Sequence, residues 1–231
     1  MNVKRFLLAG VSFFFGIFIL VLFIDIAPLF IKIPKDSALR GIVLNFARVA
    51  IPLKEGFLGQ NLVEKKHKLH QTKACQFCDF SQANMKGMDL KGYDLRYANL
   101  SRAVLKGSNL AQANLEGSNL SEVSLKRANL KGVNLRDADL TFANLSNANL
   151  NGVDLRGADL SYANLSNANL RGLNLSGTIL KNVKLYEANL YGVDLSNKDL
   201  TGANLSKVNL RGKDLKGSVL LKTRFYKSDL R

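Results

Sequence analysis

Four side chains that can bind a transition metal lie within one short segment of the chain. His67, His70, Cys75 and Cys78 are the only histidines and cysteines of the 231-residue chain. Zinc takes nitrogen and sulfur ligands of this kind, and C-x2-C often supplies half of a structural zinc site. The segment therefore admits one zinc site, a disulfide between the two cysteines, or a purely structural role for both.

Carboxylates are the other candidates for chemistry. Asp154 and Asp159 are five positions apart, but the chain beyond residue 78 contains no histidine. No nucleophile–base pair, phosphate-binding loop or catalytic metal motif accompanies them. We therefore predict no enzymatic activity and no cofactor.

The elements that position these side chains follow a five-residue repeat. From Phe80 to Leu230 every fifth residue is apolar, and all of these except Phe80, Met85 and Phe225 are leucine. The residue before each is Asn or Asp in most cases, and the residue two places before it is mostly small. Residues 136–155 and 156–175 are identical at 14 of 20 positions. The chain therefore also repeats every twenty residues.

A period of five fits neither a helix nor a flat strand, because both would scatter the leucines over several faces. It fits a short extended piece followed by a sharp turn, with the leucine and the small residue pointing inward. Four such turns of about 90° close a square of twenty residues. Coils separated by about 4.8 Å, the usual spacing of paired strands, would stack these squares into a rod.

The pattern A-(N/D)-L-x-x resembles that of the pentapeptide repeat family, over residues 78–231 from CDFSQ to SDLR. The resemblance implies an all-β solenoid, a right-handed quadrilateral β-helix of about eight coils. Members of the family often carry C-x-x-C before D-(L/F)-S just ahead of the first coil. The resemblance thus favours Cys75 and Cys78 as inward cap residues over zinc ligands, since the register places them in the leucine and small-residue columns.

Glycines two places after the leucine concentrate on two of the four faces. Glycine accepts the positive φ that a type II turn requires at its third residue. We predict type II turns on those two faces and a different turn on the other two. Two lysines, Lys198 and Lys213, occupy inward small-residue positions, so we predict that their coils are distorted and form a partner surface.

Residues 1–74 differ in composition from the repeats. Residues 6–24 carry no charge, and this run is close to the length that spans a bilayer. We predict a transmembrane anchor at 1–33 that uses residues 6–31, with a cleaved signal peptide as the alternative. Residues 34–74 would hold an amphipathic helix (37–51), lying in the membrane interface or capping the repeats, and a basic linker (54–73). The repeat domain is then 75–231.

The charge balance predicts anionic partners. The chain carries a formal charge of +15, and residues 75–231 hold 22 Lys and Arg against 14 Asp and Glu. Outward basic residues follow the leucine in columns that form a candidate surface for an anionic partner: Lys86, Lys91, Lys106, Lys126, Lys131, Arg171 and Arg211. Exposed aromatic residues are too scattered for a stacking platform, so we predict no specific nucleic acid.

The sequence predicts a single-pass membrane protein whose repeat rod is a non-catalytic scaffold. Its partner would be an unidentified protein or anionic lipid headgroups, and its C-terminal coil could pair end to end with a second copy. Flanking charges slightly favour a cytoplasmic repeat domain. A secreted effector is one alternative. A DNA mimic that protects topoisomerases is another, although the rod is basic and not acidic.

Overall fold

The computed structural model describes residues 62–231. The predicted transmembrane anchor and the amphipathic helix at 37–51 lie outside the described residues. Within residues 62–231 no helix is long and apolar enough to cross a membrane. The described chain consists of one helix, α1 (Leu62–Thr72), followed by the coils of a β-helix.

The coil of twenty residues is confirmed by the pairing of the backbone. Parallel β-bridges join equivalent positions of successive coils, such as Asn114↔Asn134 and Asn134↔Asp154. The leucine amide donates to the carbonyl that precedes the equivalent leucine of the next coil, as from Leu135 to Asp154 at 2.8 Å. Each coil is thereby bonded to the next, and the leucines stack in the interior, where most of them from Leu90 to Leu210 are 0–2 % exposed.

The turns contradict the prediction of two turn types. All four faces have the same corner: the residue two after the leucine takes positive φ, whether it is glycine, as at Gly107 (67°), or not, as at Gln82 (57°). The next amide donates back to the leucine carbonyl or its equivalent, as from Ala83 to Phe80 at 3.0 Å. A coil with four equal sides needs the same corner four times. The turn geometry is therefore set by coil closure, and glycine only lowers its cost.

The helix α1 corrects the prediction of a linker over 54–73. Leu69 is fully buried against the first coil, and the Lys66 ammonium donates to the Asn84 carbonyl at 2.6 Å. The helix ends at Thr72, where Lys73 takes the left-handed conformation (φ 52°) and its amide donates to Leu69. Leu69 packs on the end of the stacked leucines, which would otherwise face water.

The coils differ in how completely they are bonded. Every amide of the leucine column from Phe80 to Leu145 donates to the next coil, and we call residues 75–149 the regular coils. Among the described residues before the last coil, the following column amides make no such bond: Leu150, Leu155, Leu175, Leu180, Leu190 and Leu195. We call residues 171–214, where Asn174, Asp194 and Asp214 form no β-bridge, the opened coils.

Large side chains at one inward column accompany the lost bonds of the opened coils. This column reads Tyr93, Ala113, Val133, Val153, Leu173, Val193 and Lys213, so the opened coils place a leucine, a valine and a lysine there. Extra volume in a packed interior forces the backbone apart. The opposite side of the opened coils stays closed, since Leu185 donates to Asn204 at 2.8 Å and Asn182 to Thr201 at 2.8 Å. Between the coils that begin at residues 171 and 191, the ladder therefore remains around residues 182–187, and the bonds of the other three leucine columns are missing.

Candidate anion-binding surface

The Asn and Asp column positions the outward basic residues. Its side-chain oxygen accepts the amide of the residue two places on, as from Lys91 to Asp89 and from Lys131 to Asn129, both at 3.2 Å. Such side chains also bond between coils, as Asn129 does to Asn109 at 3.0 Å. Each basic side chain thus starts from a fixed backbone position at a turn, and copies one coil apart lie in one column.

The predicted surface residues share one property. Six of the seven are exposed and Lys126 is half-buried. Within residues 62–231 none of them has a carboxylate within ion-pair distance, whereas several other basic residues do: Arg96, Arg102, Arg136, Arg156, Lys181, Lys207 and Arg231. The seven predicted residues therefore form no ion pair in this part of the chain, although Arg211 lies close enough to Asp229 to help Arg231 lower the pKa of that carboxyl.

The basic residues that form ion pairs differ from the seven surface residues in having a carboxylate within ion-pair distance. The Arg156 guanidinium lies 2.5 Å from the Asp154 carboxylate, and Arg136 approaches the same group at 4.0 Å. Hydrogen bonding by Arg156 is the main cause that holds the pKa of Asp154 below its usual value. Asp154 is thus committed to arginine and does not pair with Asp159.

The two inward lysines enter the opened coils. The Lys198 ammonium donates to the Leu175 carbonyl and the Lys213 ammonium to the Val193 carbonyl, each at 2.6 Å. In the regular coils the corresponding small-residue carbonyl accepts an amide of the next coil, as Val133 accepts from Asp154. Lys213 therefore supplies the hydrogen bond that the Asp214 amide does not. Both lysines lie beside missing bridges of the ladder. The predicted distortion of their coils and their use as a partner surface stay predictions.

The candidate zinc site is not formed. Cys75 and Cys78 are joined by a disulfide with their Cα atoms 5.4 Å apart, and both are buried at the inward positions that the register predicted. His70 lies 3.2 Å from the Tyr93 hydroxyl and His67 lies 2.8 Å from Gln71. In the described part of the chain no group of three or more such side chains could hold a metal ion. The cysteines close the first turn beneath α1.

Sequence reasoning missed the stacking of aromatic residues. The rings of Phe142 and Tyr162 lie parallel with centroids 4.6 Å apart, and those of Phe77 and Tyr97 lie 5.0 Å apart. Both pairs occupy equivalent positions of successive coils, so the period itself contained the signal. Each pair covers one face of each of its rings.

A comparison with protein-family models matches Pentapeptide repeats in eight copies, at residues 75–110, 98–137, 138–177, 158–197 and 199–231. The chain belongs to the pentapeptide repeat family. No curated protein sequence matches it.

Several solved pentapeptide repeat proteins are similar to it. HetL, involved in heterocyst differentiation regulation in the cyanobacterium Nostoc sp. strain PCC 7120, is 28% identical, with 74% of this chain and 95% of HetL covered and a TM-score of 0.41. A protein from the Arabidopsis thaliana thylakoid lumen is 29% identical, covering 58% and 72%, with a TM-score of 0.25. QnrB1, a plasmid-mediated fluoroquinolone resistance protein, is 19% identical, covering 63% and 80%, with a TM-score of 0.34.

Proposed function

We propose that this pentapeptide repeat protein is a membrane-tethered, non-catalytic scaffold whose basic columns bind an anionic partner. The observation that carries the proposal is the contrast between two sets of basic residues. Seven exposed or half-buried cations on the predicted surface have no carboxylate partner in residues 62–231, while seven others do. A stiff rod holds such charges at fixed spacing, which favours an extended acidic protein surface as the partner.

The experiment compares two triple variants of equal charge in the full-length chain. The first, Lys86→Gln with Lys106→Gln and Lys126→Gln, removes unpaired charges from one column. The second, Arg102→Gln with Lys181→Gln and Lys207→Gln, removes cations that already have carboxylate partners. Proximity labelling from the C-terminus identifies the neighbours. We expect the first variant to lose partners that the second retains, and equal loss would contradict the proposal.

The tether rests on the uncharged run at residues 6–24. Carbonate extraction should leave the full chain in the membrane fraction and release a chain that lacks residues 1–33. Release of the full chain would favour the secreted effector instead. A DNA mimic would inhibit a topoisomerase, and we expect no inhibition because the repeat domain carries a net charge of about +8, from 22 basic and 14 acidic residues.

The disulfide bears on which side of the membrane the repeat domain faces. Flanking charges slightly favour the cytoplasm, but disulfides persist mainly in oxidising compartments. The Cys75–Cys78 bond therefore favours the oxidising side. Labelling with a membrane-impermeant maleimide in intact cells, before and after reduction, tests this. Labelling that appears only after reduction supports the oxidising side, whereas labelling that appears only after lysis contradicts it.

End-to-end pairing with a second copy is a further proposal, and the last coil supports it. Column residues that are buried elsewhere are exposed here, with Leu220 at 37 % and Leu230 at 59 %. Exposed apolar surface together with unpaired backbone groups favours pairing of sheet edges. Sedimentation should show a dimer that Leu220→Lys with Leu230→Lys converts to a monomer. A monomeric wild-type chain would contradict the proposal.

A further inference from the structure

A surface pocket lies where the opened coils separate. Its volume is about 440 Å³, within the usual range for small-molecule sites, and its lining comprises Arg171, Ala188, Asn189, Leu190, Tyr191, Asn209, Arg211 and Lys213. The β-bridge that would join Asn189 to Asn209 is absent from the described chain, and the Leu190 amide makes no bond to the next coil. The gap in the ladder and the pocket therefore coincide.

The lining is strongly cationic. It contains two arginines and a lysine but no carboxylate. Arg171 and Arg211 have no ion pair with any carboxylate in residues 62–231, although most arginines of the repeats do. The Arg171 guanidinium lies over the Tyr191 ring, 4.9 Å from its centroid. This cation–π contact holds Arg171 at the pocket without neutralising it.

Lys213 adds a third donor from the inner side of the pocket. Its side chain is half-buried, and its ammonium is bonded to the Val193 carbonyl at 2.6 Å. Burial lowers the pKa of this ammonium, and the nearby Asp194 carboxylate acts in the opposite direction. Asp194 does not line the pocket. An anion that enters would therefore meet Lys213 without an acidic side chain in its way.

We propose that this pocket binds a phosphate monoester. The lining offers two guanidinium groups, which match phosphate oxygens in pairs, together with an ammonium and the side-chain amides of Asn189 and Asn209. So many donors suit a group with three terminal oxygens better than a carboxylate, which has two. Tyr191 provides an apolar surface beside them for the esterified part of the ligand. The proposal rests on the proposed function only in that Arg171 and Arg211 belong to the basic columns.

The test is calorimetric titration of the full-length protein with phenyl phosphate, with inorganic sulfate as the competing anion. We expect saturable binding with one site per chain. Arg171→Gln and Arg211→Gln should each weaken it about tenfold or more, as expected for a hydrogen bond between charged groups. Arg127→Gln is the matched control, because Arg127 is also an exposed arginine without an ion pair in residues 62–231 and lies outside the pocket. It should leave the affinity within about twofold, since charges this far apart are screened.

Two further arms sharpen the result. Vesicles of phosphatidylcholine with and without phosphatidic acid distinguish a lipid phosphate from a free ester, and dependence on Arg171 in either arm supports the pocket. Arg171→Lys keeps the charge but loses the planar donor pair, so it should recover only part of the affinity. Absence of saturable binding in both arms, or an equal loss in Arg127→Gln, would overturn the proposal. The triple variants of the basic columns leave the pocket intact, so failure here is distinguishable from failure of the scaffold proposal.

Discussion

The regular coils and the opened coils share one five-residue repeat but differ in the bonds between coils. In the regular coils every leucine-column amide reaches the next coil, whereas the amides of four leucines in the opened coils do not: Leu175, Leu180, Leu190 and Leu195. The leucines of both regions are buried, since Leu135 is 0 % and Leu175 is 4 % exposed. Stacked leucines therefore suffice to keep the coil form even where the hydrogen-bond ladder between coils is interrupted.

The largest difference is expected when the same leucine is truncated in both regions. Leu135→Ala and Leu175→Ala remove equivalent side chains, and buried Leu→Ala changes cost about 2–5 kcal/mol. We expect Leu135→Ala near the upper end, because an intact ladder prevents the cavity from collapsing, and Leu175→Ala near the lower end. Urea unfolding of the full-length chain measures both. Equal free energies of unfolding would show that the missing bonds do not loosen the opened coils.

A smaller effect should follow from exchanging the size of one inward side chain between the regular coils and the opened coils. Val133→Leu places in the regular coils the side chain that the opened coils have at Leu173, and overpacking of this kind costs about 1–3 kcal/mol. The amide of Leu135 should then exchange faster, because its bond to Asp154 is strained. Leu173→Val is the reverse change and should slow exchange at the Leu175 amide. If side-chain volume breaks the hydrogen bonds between coils, the exchange rate must rise in Val133→Leu and fall in Leu173→Val.

Hydrogen exchange in the wild-type chain sharpens the comparison without any substitution. We expect the amides of Leu175 and Leu195 to exchange at least about tenfold faster than those of Leu115 and Leu135, which corresponds to about 1.4 kcal/mol of local stability. The four residues occupy the same column, so their intrinsic surroundings are matched. Equal protection would mean that the bonds absent from the opened coils are restored in solution.

The smallest expected effect is a dependence on pH at Lys213. Burial lowers the pKa of its ammonium below the ordinary 10.5 in the folded chain, so the unfolded chain binds more protons above that lowered value. At neutral pH the folded chain must bury a charged Lys213, which lowers the free energy of unfolding. As pH rises toward 10.5 the folded chain releases this proton, and the free energy of unfolding increases. Lys213→Met should be more stable than wild type near neutrality in urea unfolding, and the advantage should narrow with rising pH. Lys216→Met, an exposed lysine of the same coil, should show no such narrowing.

The sequence predicted the coil but not its details, and the reason differs from case to case. The twenty-residue coil follows from the period alone, because residues on one inward column must repeat together. The uniform corners were missed because glycine content reports the cost of a turn and not its geometry. The helix α1 was missed because only Leu69 among its described side chains is fully buried.

The candidate site was predictable in part. The exposed basic columns follow directly from the register. The register does not show which basic residues form ion pairs, because these pairs depend on side-chain conformation, both for local pairs such as Arg156 with Asp154 and for pairs across coils such as Lys181 with Asp199. The pocket could not be predicted either. Leu173, Lys198 and Lys213 show that large side chains occupy inward positions, but they do not show which hydrogen bonds between coils are lost.

The bonds that survive beside the pocket have a mechanical consequence. On one side of the opened coils the Asn182, Leu185 and Glu187 amides still hold the following coil, at 2.8, 2.8 and 3.1 Å. A stack fastened along one edge resists stretching but yields to tilting about that edge. The last coils can therefore lean as a unit, and an occupant of the gap would act as a wedge that sets the direction in which the tip of the rod points.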